Sequence, residues 1–413
     1  VLKLIFLQHI VNPTLLSQQS SKNQTGRVFM AIQGALMAFT SLSTDIYLPA
    51  MPQMNRDMQG NVELTITGFL IGFAIAQLIW GPISDRIGRR KPLFMGMILF
   101  IIGSMGCALS QNIEQIVFWR VFQALGACTG PMLARAIIRD LYTRTKAAQM
   151  LSTLTIIMAI APIIGPLLGG QLIQISSWHS IFWLLAAVGI LMLLSLFFLP
   201  ETHQSEKRRQ TSILQAFVNY RLLLSNRQFM RYTLCIAFFY VSAYAFITGS
   251  PFVYITYFGI NPQHYGALFA INILGVVAMS FVNRSLVRTV ELDTLLRLAA
   301  ITAMTSAIML ALLVYFGIGG VYSILITVFL FFSMNGIIAA SATAAALDGV
   351  PQLAGSASAL IGSMQYGSGI ISSFLLAKLA DGTPWTMAWI MAAFTTASAL
   401  MALMPSIGDT KSV

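Results

Sequence analysis

Gly81-Pro82-Ile83-Ser84-Asp85-Arg86-Ile87-Gly88-Arg89-Arg90-Lys91-Pro92 sets five charged side chains between two apolar runs, residues 64–83 and 92–109, that contain none. Uninterrupted apolar runs of about 18 residues or more are long enough to cross a bilayer as helices. The stretch is therefore a polar reversal between two membrane helices, and it predicts a chain that passes through the bilayer repeatedly.

Working outward, the 413-residue chain is 57% hydrophobic and only 9% charged, more apolar side chain than one soluble core would bury. Twelve segments are expected: 28–51, 64–83, 92–109, 113–138, 148–173 and 178–199, then 229–256, 265–282, 292–316, 321–345, 354–379 and 383–404. The predicted fold class is an all-α polytopic membrane protein. A net charge of +11 raises the question of nucleic-acid partners, but the cations follow the topology. Lys22 and Arg27 precede the first segment, Arg86 to Lys91 follow the second, and Arg139, Arg144 and Lys146 follow the fourth. Lys207, Arg208, Arg209, Arg221 and Arg227 lie between the sixth and seventh, and Arg284 and Arg288 follow the eighth. All fall on one side if the helices alternate, whereas the opposite connections hold Arg56, Lys378 and few other cations. The positive-inside rule then places both termini and the long central connector in the cytoplasm, with the lipid bilayer, not nucleic acid, as the surrounding partner.

The composition turns polar after Pro200, through Glu-Thr-His-Gln-Ser-Glu-Lys-Arg-Arg-Gln. This divides the chain into a cytoplasmic extension (1–27), a six-helix bundle (28–199), a solvated linker (200–228), a second six-helix bundle (229–405) and a tail (406–413). The opening Val1-Leu2-Lys3-Leu4-Ile5-Phe6-Leu7 is too short, and lacks the cleavage pattern, to be expected as a signal peptide. Carriers made of two such bundles bind cargo between them near the bilayer midplane. Small residues at every fourth position, which let helices approach closely, occur at Gly68, Gly72 and Ala76, at Ala161, Gly165 and Gly169, and at Gly355, Ala359, Ser363 and Gly367.

Ser43-Thr44-Asp45-Ile46-Tyr47-Leu48-Pro49-Ala50-Met51-Pro52 places an acid inside the first apolar segment. An ionisable group at membrane depth is costly unless paired or wetted, so Asp45 is a functional candidate. Arg120, in the fourth segment about seven residues or roughly 10 Å from its external end, is the expected partner. A static ion pair is the competing reading.

Three further motifs carry a resemblance. The 81–92 loop is similar to the signature G-x-x-x-D-R-x-G-R-R/K of the major facilitator superfamily. Trp119-Arg120-Val121-Phe122-Gln123-Ala124-Leu125-Gly126 resembles its R-x-x-Q-G/A-x-G motif, and Ala161-Pro162-Ile163-Ile164-Gly165-Pro166-Leu167-Leu168-Gly169-Gly170 its antiporter motif G-P-x-x-G-G. The Asp45 run is similar to the Bcr/CflA drug-resistance subfamily, the bicyclomycin and chloramphenicol exporters. The resemblance implies two pseudo-symmetric six-helix bundles in a bacterial cytoplasmic membrane, acting as a monomer, with no enzymatic activity and no cofactor beyond the proton gradient. It implies a proton-coupled multidrug exporter of small amphiphilic antibiotics; the alternative is a proton-coupled transporter of a metabolite such as a nucleoside, sugar or siderophore.

On this reading Asp45 and Arg120 couple protons. Burial and a nearby Arg120 act on the Asp45 carboxyl in opposite senses, and both terms change as the bundles rock. Gly81, Asp85, Arg86, Gly88, Arg89 and Arg90 form a conformational latch, the glycines making a tight reversal and Asp85 pairing with cations on neighbouring helices in one arrangement. Pro162, Gly165, Pro166, Gly169 and Gly170 kink and thin the fifth segment where it meets the other bundle. Tyr47, Gln123, Tyr240, Tyr244, Asn272, Asn335 and Gln365 are polar groups within spans and form the candidate substrate set, though each alone suits a bond to a neighbouring helix better than a contact with substrate. Cys107, Cys128 and Cys235 sit in apolar runs and imply neither disulfide nor metal site. His9, His179, His203 and His264 fall near predicted ends or loops, which disfavours a histidine relay. No H-E-x-x-H, nucleophile elbow or phosphate-binding loop appears, which argues against an enzyme or direct ATP drive.

Overall fold

The computed structural model describes residues 27–203 and 213–405. Expectations for residues 1–26, including Lys22 and His9, for Lys207, Arg208 and Arg209, and for residues 406–413 lie outside the described residues. Everything regular within them is helical. In hydrocarbon every backbone N–H and C=O must find a protein partner, which leaves helices or closed barrels, and continuously apolar runs of about 18 residues, without the alternation of barrel strands, form helices.

The first half comprises α1 (Arg27–Asp45), α2 (Met51–Met58), α3 (Leu64–Ile87), α4 (Arg90–Ala108), α5 (Ile113–Ala127), α6 (Thr129–Leu141), α7 (Arg144–Ile175) and α8 (His179–Ser195). After α9 (Ile213–Ser225), the second half comprises α10 (Arg227–Pro251), α11 (Pro262–Leu286), α12 (Leu292–Tyr315), α13 (Gly320–Ser333), α14 (Asn335–Asp348), α15 (Ala354–Gly367), α16 (Gly369–Leu379) and α17 (Trp385–Leu403). Three spans are broken in two, α5/α6 at Cys128, α13/α14 at Met334 and α15/α16 at Ser368. Asn112, Asn226 and Asn261 cap α5, α10 and α11 by accepting from the backbone N–H groups of Gln115, Phe229 and Gln263. Among the described residues, 11 segments are long and apolar enough to span a membrane. The expected twelfth, α1, falls short because it carries Gln33, Thr40, Ser41, Ser43, Thr44 and Asp45.

Three expectations need correcting. The first span does not run to Met51: its helix ends at Asp45, a 3-10 turn follows over Leu48–Ala50, and α2 is a separate short helix. Pro49 and Pro52 each lack an N–H donor, so a continuous helix would lose two backbone bonds there. The expected solvated linker is not solvent-exposed throughout, because α9 lies in it, burying Tyr220 and Leu223 and exposing Phe217, Val218 and Leu222. Gly81 does not make the reversal; α3 continues to Ile87, and Gly88, at φ 93°, alone turns the chain.

Within the first half α1 packs on α6 and α7, α3 on α5, and α4 on α5 and α8; within the second, α10 and α12 pack on α17 and α11 on α13. The halves meet along α7 with α11 and along α3 with α15 and α16. Gly68 and Gly72 face the carbonyls of Val117 and Val121 on α5, so that small-residue stripe serves packing inside one half. Gly355 faces open space, whereas Gly362 and Gly367 of the same segment approach Gln77 and Ala74 of α3. In the second half buried Arg231 donates to the terminal carbonyls of α17, Met401 O at 3.1 Å and Ala402 O at 3.0 Å, a cation at a helix C-terminus.

Candidate functional site

Asp45 is the last residue of α1 and is 7% exposed. Gly165 of α7 brings that helix against the break, since an added Cβ would lie 3.2 Å from Ile46 N and 3.4 Å from Asp45 Cβ. Gly169 leaves no room for a Cβ against Ile46 O. Two of the antiporter-motif glycines therefore cradle the acid. The third, Gly170, serves the contact between halves: a Cβ on it would meet Pro262 O at 2.6 Å, and across the contact one on Gly266 of α11 would meet Leu167 N at 2.6 Å.

Arg120 is wholly buried and is held inside the first half. Its Nη1 donates to Ser43 O at 3.1 Å and to Gln123 Oε1 at 2.7 Å, and its Nε to Thr65 O at 3.4 Å. The guanidinium lies between the rings of Tyr47 and Phe69, 4.3 and 4.4 Å from their centroids. Gln123 Nε2 in turn donates to Ser104 Oγ at 2.7 Å, and the Tyr47 hydroxyl pairs with Thr65 Oγ1 at 3.2 Å. Whether Asp45 and Arg120 touch was open in the sequence; among the described residues no ion pair joins them. Arg120 instead grips the carbonyl two residues before Asp45 and acts on the carboxyl only through space. Tyr47 and Gln123, expected in the substrate set, complete this network: both are wholly buried, with their polar atoms engaged inside the first half.

Four other predicted polar residues converge. The Asn335 and Gln365 side chains sit beside the Tyr240 phenol, Asn335 Oδ1 without a hydrogen-bond partner among the described residues, and the Tyr240 and Tyr244 rings are 6.3 Å apart. The group continues to Tyr366, 6.4 Å from Tyr244, and from there to Phe73 of α3 at 4.3 Å, crossing between the halves. Tyr244, Tyr265 and Tyr366 all lie within electrostatic reach of Asp45. Sequence reasoning missed Tyr265 and Tyr366, although both carry the signal that selected Tyr240, a phenol within a span. Asn272 is buried with neither amide atom bonded to any described residue, as is Gln33 of α1, which the sequence reading passed over.

The latch residues form a charge cluster of the first half. Arg89 Nη1 donates to Asp85 Oδ1 at 2.6 Å and Ser84 Oγ at 2.8 Å, and Nε to Asp140 Oδ2 on α6 at 2.9 Å. Burial works against the Arg89 charge, but Asp140 and Asp85 outweigh it and hold its pKa above the ordinary value. Glu201 accepts from the backbone N–H groups of Arg89 and Arg90 at 2.9 and 3.1 Å. The expected partner of Asp85 on a neighbouring helix is thus replaced by Arg89 of its own loop, four residues on, because Gly88 folds Arg89 back over the end of α3. Arg86 is exposed.

At the end of the molecule away from this loop the halves are shut. Gln174 bonds Gln263, Gly170 abuts Pro262, and Thr67 Oγ1 donates to Ser373 Oγ at 3.0 Å. Toward the loop they part around a cavity of about 300 Å³, bordered by α3, α6, α9 and the start of α15. Over it α9 ties the halves: the Tyr220 hydroxyl donates to Leu78 O at 2.9 Å and Asn219 Nδ2 to Ser356 Oγ at 3.4 Å.

Residues 34–373 match the sequence model of the Major Facilitator Superfamily. The chain belongs to the major facilitator superfamily. As a member it is a multi-pass membrane protein of a transporter family, not an enzyme family. It is 35% identical over 399 residues to the uncharacterized MFS-type transporter YdgK of Bacillus subtilis, covering 94% of this chain and 98% of that one. It is 29% identical to a bicyclomycin resistance protein homolog of Haemophilus influenzae, over 90% of this chain and 94% of the relative. It is 28% identical to multidrug resistance protein D of Escherichia coli, over 82% and 86% respectively. The fold is also that of the xylose transporter XylE from E. coli in a partially occluded inward open conformation, with a TM-score of 0.71 at 14% identity over 94% of this chain and 99% of XylE.

Proposed function

We propose that this superfamily member is a proton-coupled exporter of small amphiphilic drugs, working by alternating access in a bacterial cytoplasmic membrane with the cation-rich end in the cytoplasm. The observation that carries the reading is the placement of Asp45. It is a buried acid at a helix break, outside ion-pairing distance of Arg120, seated against α7, one of the two helices that meet the second half, and within electrostatic reach of tyrosines of that half. When the halves rock, α7 and the tyrosines move relative to α1, and the affinity of the carboxyl for a proton changes with them. Protonation and drug binding then favour different arrangements, so a proton moving inward drives a drug outward. The phenols and amides around Tyr240 supply a tolerant aromatic surface with a few polar anchors, suited to amphiphiles. The names of the relatives support drugs as the cargo.

The test uses inside-out vesicles with an acidic interior and an enclosed pH-sensitive dye. Chloramphenicol-like, sulfonamide and bicyclic antibiotics are expected to release protons from vesicles carrying wild type and not from those carrying Asp45→Asn. Full drug-driven release in Asp45→Asn would remove Asp45 as the proton carrier. Silence of the wild type toward every drug would favour a metabolite as cargo.

A further inference from the structure

The three buried arginines among the described residues are all held by protein partners. Arg89 is held by Asp85 and Asp140, Arg120 by backbone carbonyls and Gln123, and Arg231 by the end of α17 and Asp293. Arg135 of α6 differs. It lies one helical turn further into the span than Arg139, about 6 Å deeper at 1.5 Å per residue. Its Nε donates to Pro131 O of the preceding turn at 3.0 Å, and neither terminal nitrogen bonds any described residue. No carboxylate among the described residues comes within ion-pairing distance. The side chain is exposed, and what it is exposed to is the 300 Å³ cavity between the halves.

The charge on that cavity wall is unbalanced. Its cations are Arg89, Arg135 and Arg139, and Asp85, the one acid on it among the described residues, is already engaged by Arg89. Gln77, Asn219 and Ser356 add neutral polar groups from three other helices. A cleft lined by one sign of charge with low-dielectric walls focuses its field and concentrates ions of the opposite sign. A guanidinium with both terminal nitrogens open presents the planar fork that a carboxylate fits bidentately. Gln77 of the cavity wall packs against Gly362 of α15, the helix that carries Gln365 and Tyr366, so the segment holding part of the tyrosine group also borders the cavity.

We propose that this cavity is a recruitment subsite for amphiphiles bearing a carboxylate, and that Arg135 is the residue that selects for their negative charge. This rests on the reading of the chain as an exporter loading from its cation-rich end. An acidic cargo meets Arg135 before it meets the tyrosines, and its neutral analogue gains nothing there.

The experiment compares dansylglycine with dansylamide, the same fluorophore with and without a carboxylate, binding to the full chain in nanodiscs of zwitterionic lipid at neutral pH. Wild type is expected to favour dansylglycine about tenfold at low salt, a preference that shrinks in 0.5 M salt as the field is screened. Arg135→Gln should bring the two probes within about twofold by weakening dansylglycine alone, and Arg135→Lys should keep part of the difference. Asn219→Asp, which sets a fixed negative charge on the facing wall without changing shape, should reduce the preference by a separate route. Anionic lipid added to the nanodiscs should leave the ratio intact; its loss there would reassign the cavity to lipid headgroups and overturn the proposal. Equal binding of the probes by wild type, no dansylglycine binding, or an undiminished preference in Arg135→Gln and Asn219→Asp would also overturn it. Binding needs no proton gradient, so the wild-type ratio and its collapse in Arg135→Gln are read whether or not drug/proton exchange is found in vesicles.

Discussion

Arg120 carries a charge through the interior of the first half against carbonyl and amide oxygens, with no carboxylate beside it. Three helices converge on it: α5 supplies the guanidinium, α1 the Ser43 carbonyl and α3 the Thr65 carbonyl. Substitution by lysine keeps the charge but cannot reach all three acceptors from one nitrogen, leaving buried oxygens unpaired. Arg120→Lys is therefore expected to cost about 2–4 kcal/mol of stability, read as a lower unfolding midpoint of the detergent-solubilised protein. An unchanged midpoint would mean that the network is dispensable to the fold. Asp45 and Arg120 were both legible as sequence, because single charges in long apolar runs stand out whatever their surroundings. Their separation was not, since it depends on α1 stopping at Asp45 and turning its last carbonyls toward Arg120. Arg135 was passed over although it falls inside the fourth expected segment, three residues from its end, where a cation next to the polar loop stands out less than one in mid-span.

At the scale of elements, the contact of α7 with α1 on one side and α11 on the other is written in glycines. The sequence marks Gly165, Gly169 and Gly170 as close-approach positions, but only the structure divides them, the first two toward the break after Asp45 and the third toward α11. Gly266 is the reciprocal glycine on α11. Its added Cβ would strike backbone atoms of Leu167 at 2.6 and 2.8 Å, which cannot move without moving α7. Gly266→Ala is expected to shift the balance away from the arrangement in which this end is shut. Paired Gln174→Cys and Gln263→Cys substitutions should then cross-link several-fold less efficiently in the Gly266→Ala background than without it; an equal yield would show that α7 and α11 yield without separating. The helix α9 illustrates a different failure of reading. Its sequence, Ile-Leu-Gln-Ala-Phe-Val-Asn-Tyr-Arg-Leu-Leu-Leu-Ser, has ample apolar content, but the charged run before it suggested solvent throughout.

The whole molecule is shut at one end by α7 with α11 and by Thr67 with Ser373, and holds a polar cavity toward the other. If transport requires this end to open, the same Gln174→Cys/Gln263→Cys pair gives a decisive readout. Oxidation should abolish drug/proton exchange and a reducing agent should restore it, with little background because Cys107, Cys128 and Cys235 are buried. Full activity in the oxidised protein would exclude separation of α7 from α11 during the cycle. The sequence by itself determined the class of this protein. Long uncharged runs must be helices in lipid, a cation-rich loop must lie outside it, and a lone acid within it must be there for a reason; these follow from local composition and the cost of burying charge. Only the tertiary structure decided where α1 breaks, that Arg120 grips carbonyls and not Asp45, that Asp85 pairs within its own loop, and that Arg135 faces an open cavity. Each depends on the rotation and crossing of helices distant in sequence, and a helix presents the same residues to lipid or to a neighbour until packing chooses between them.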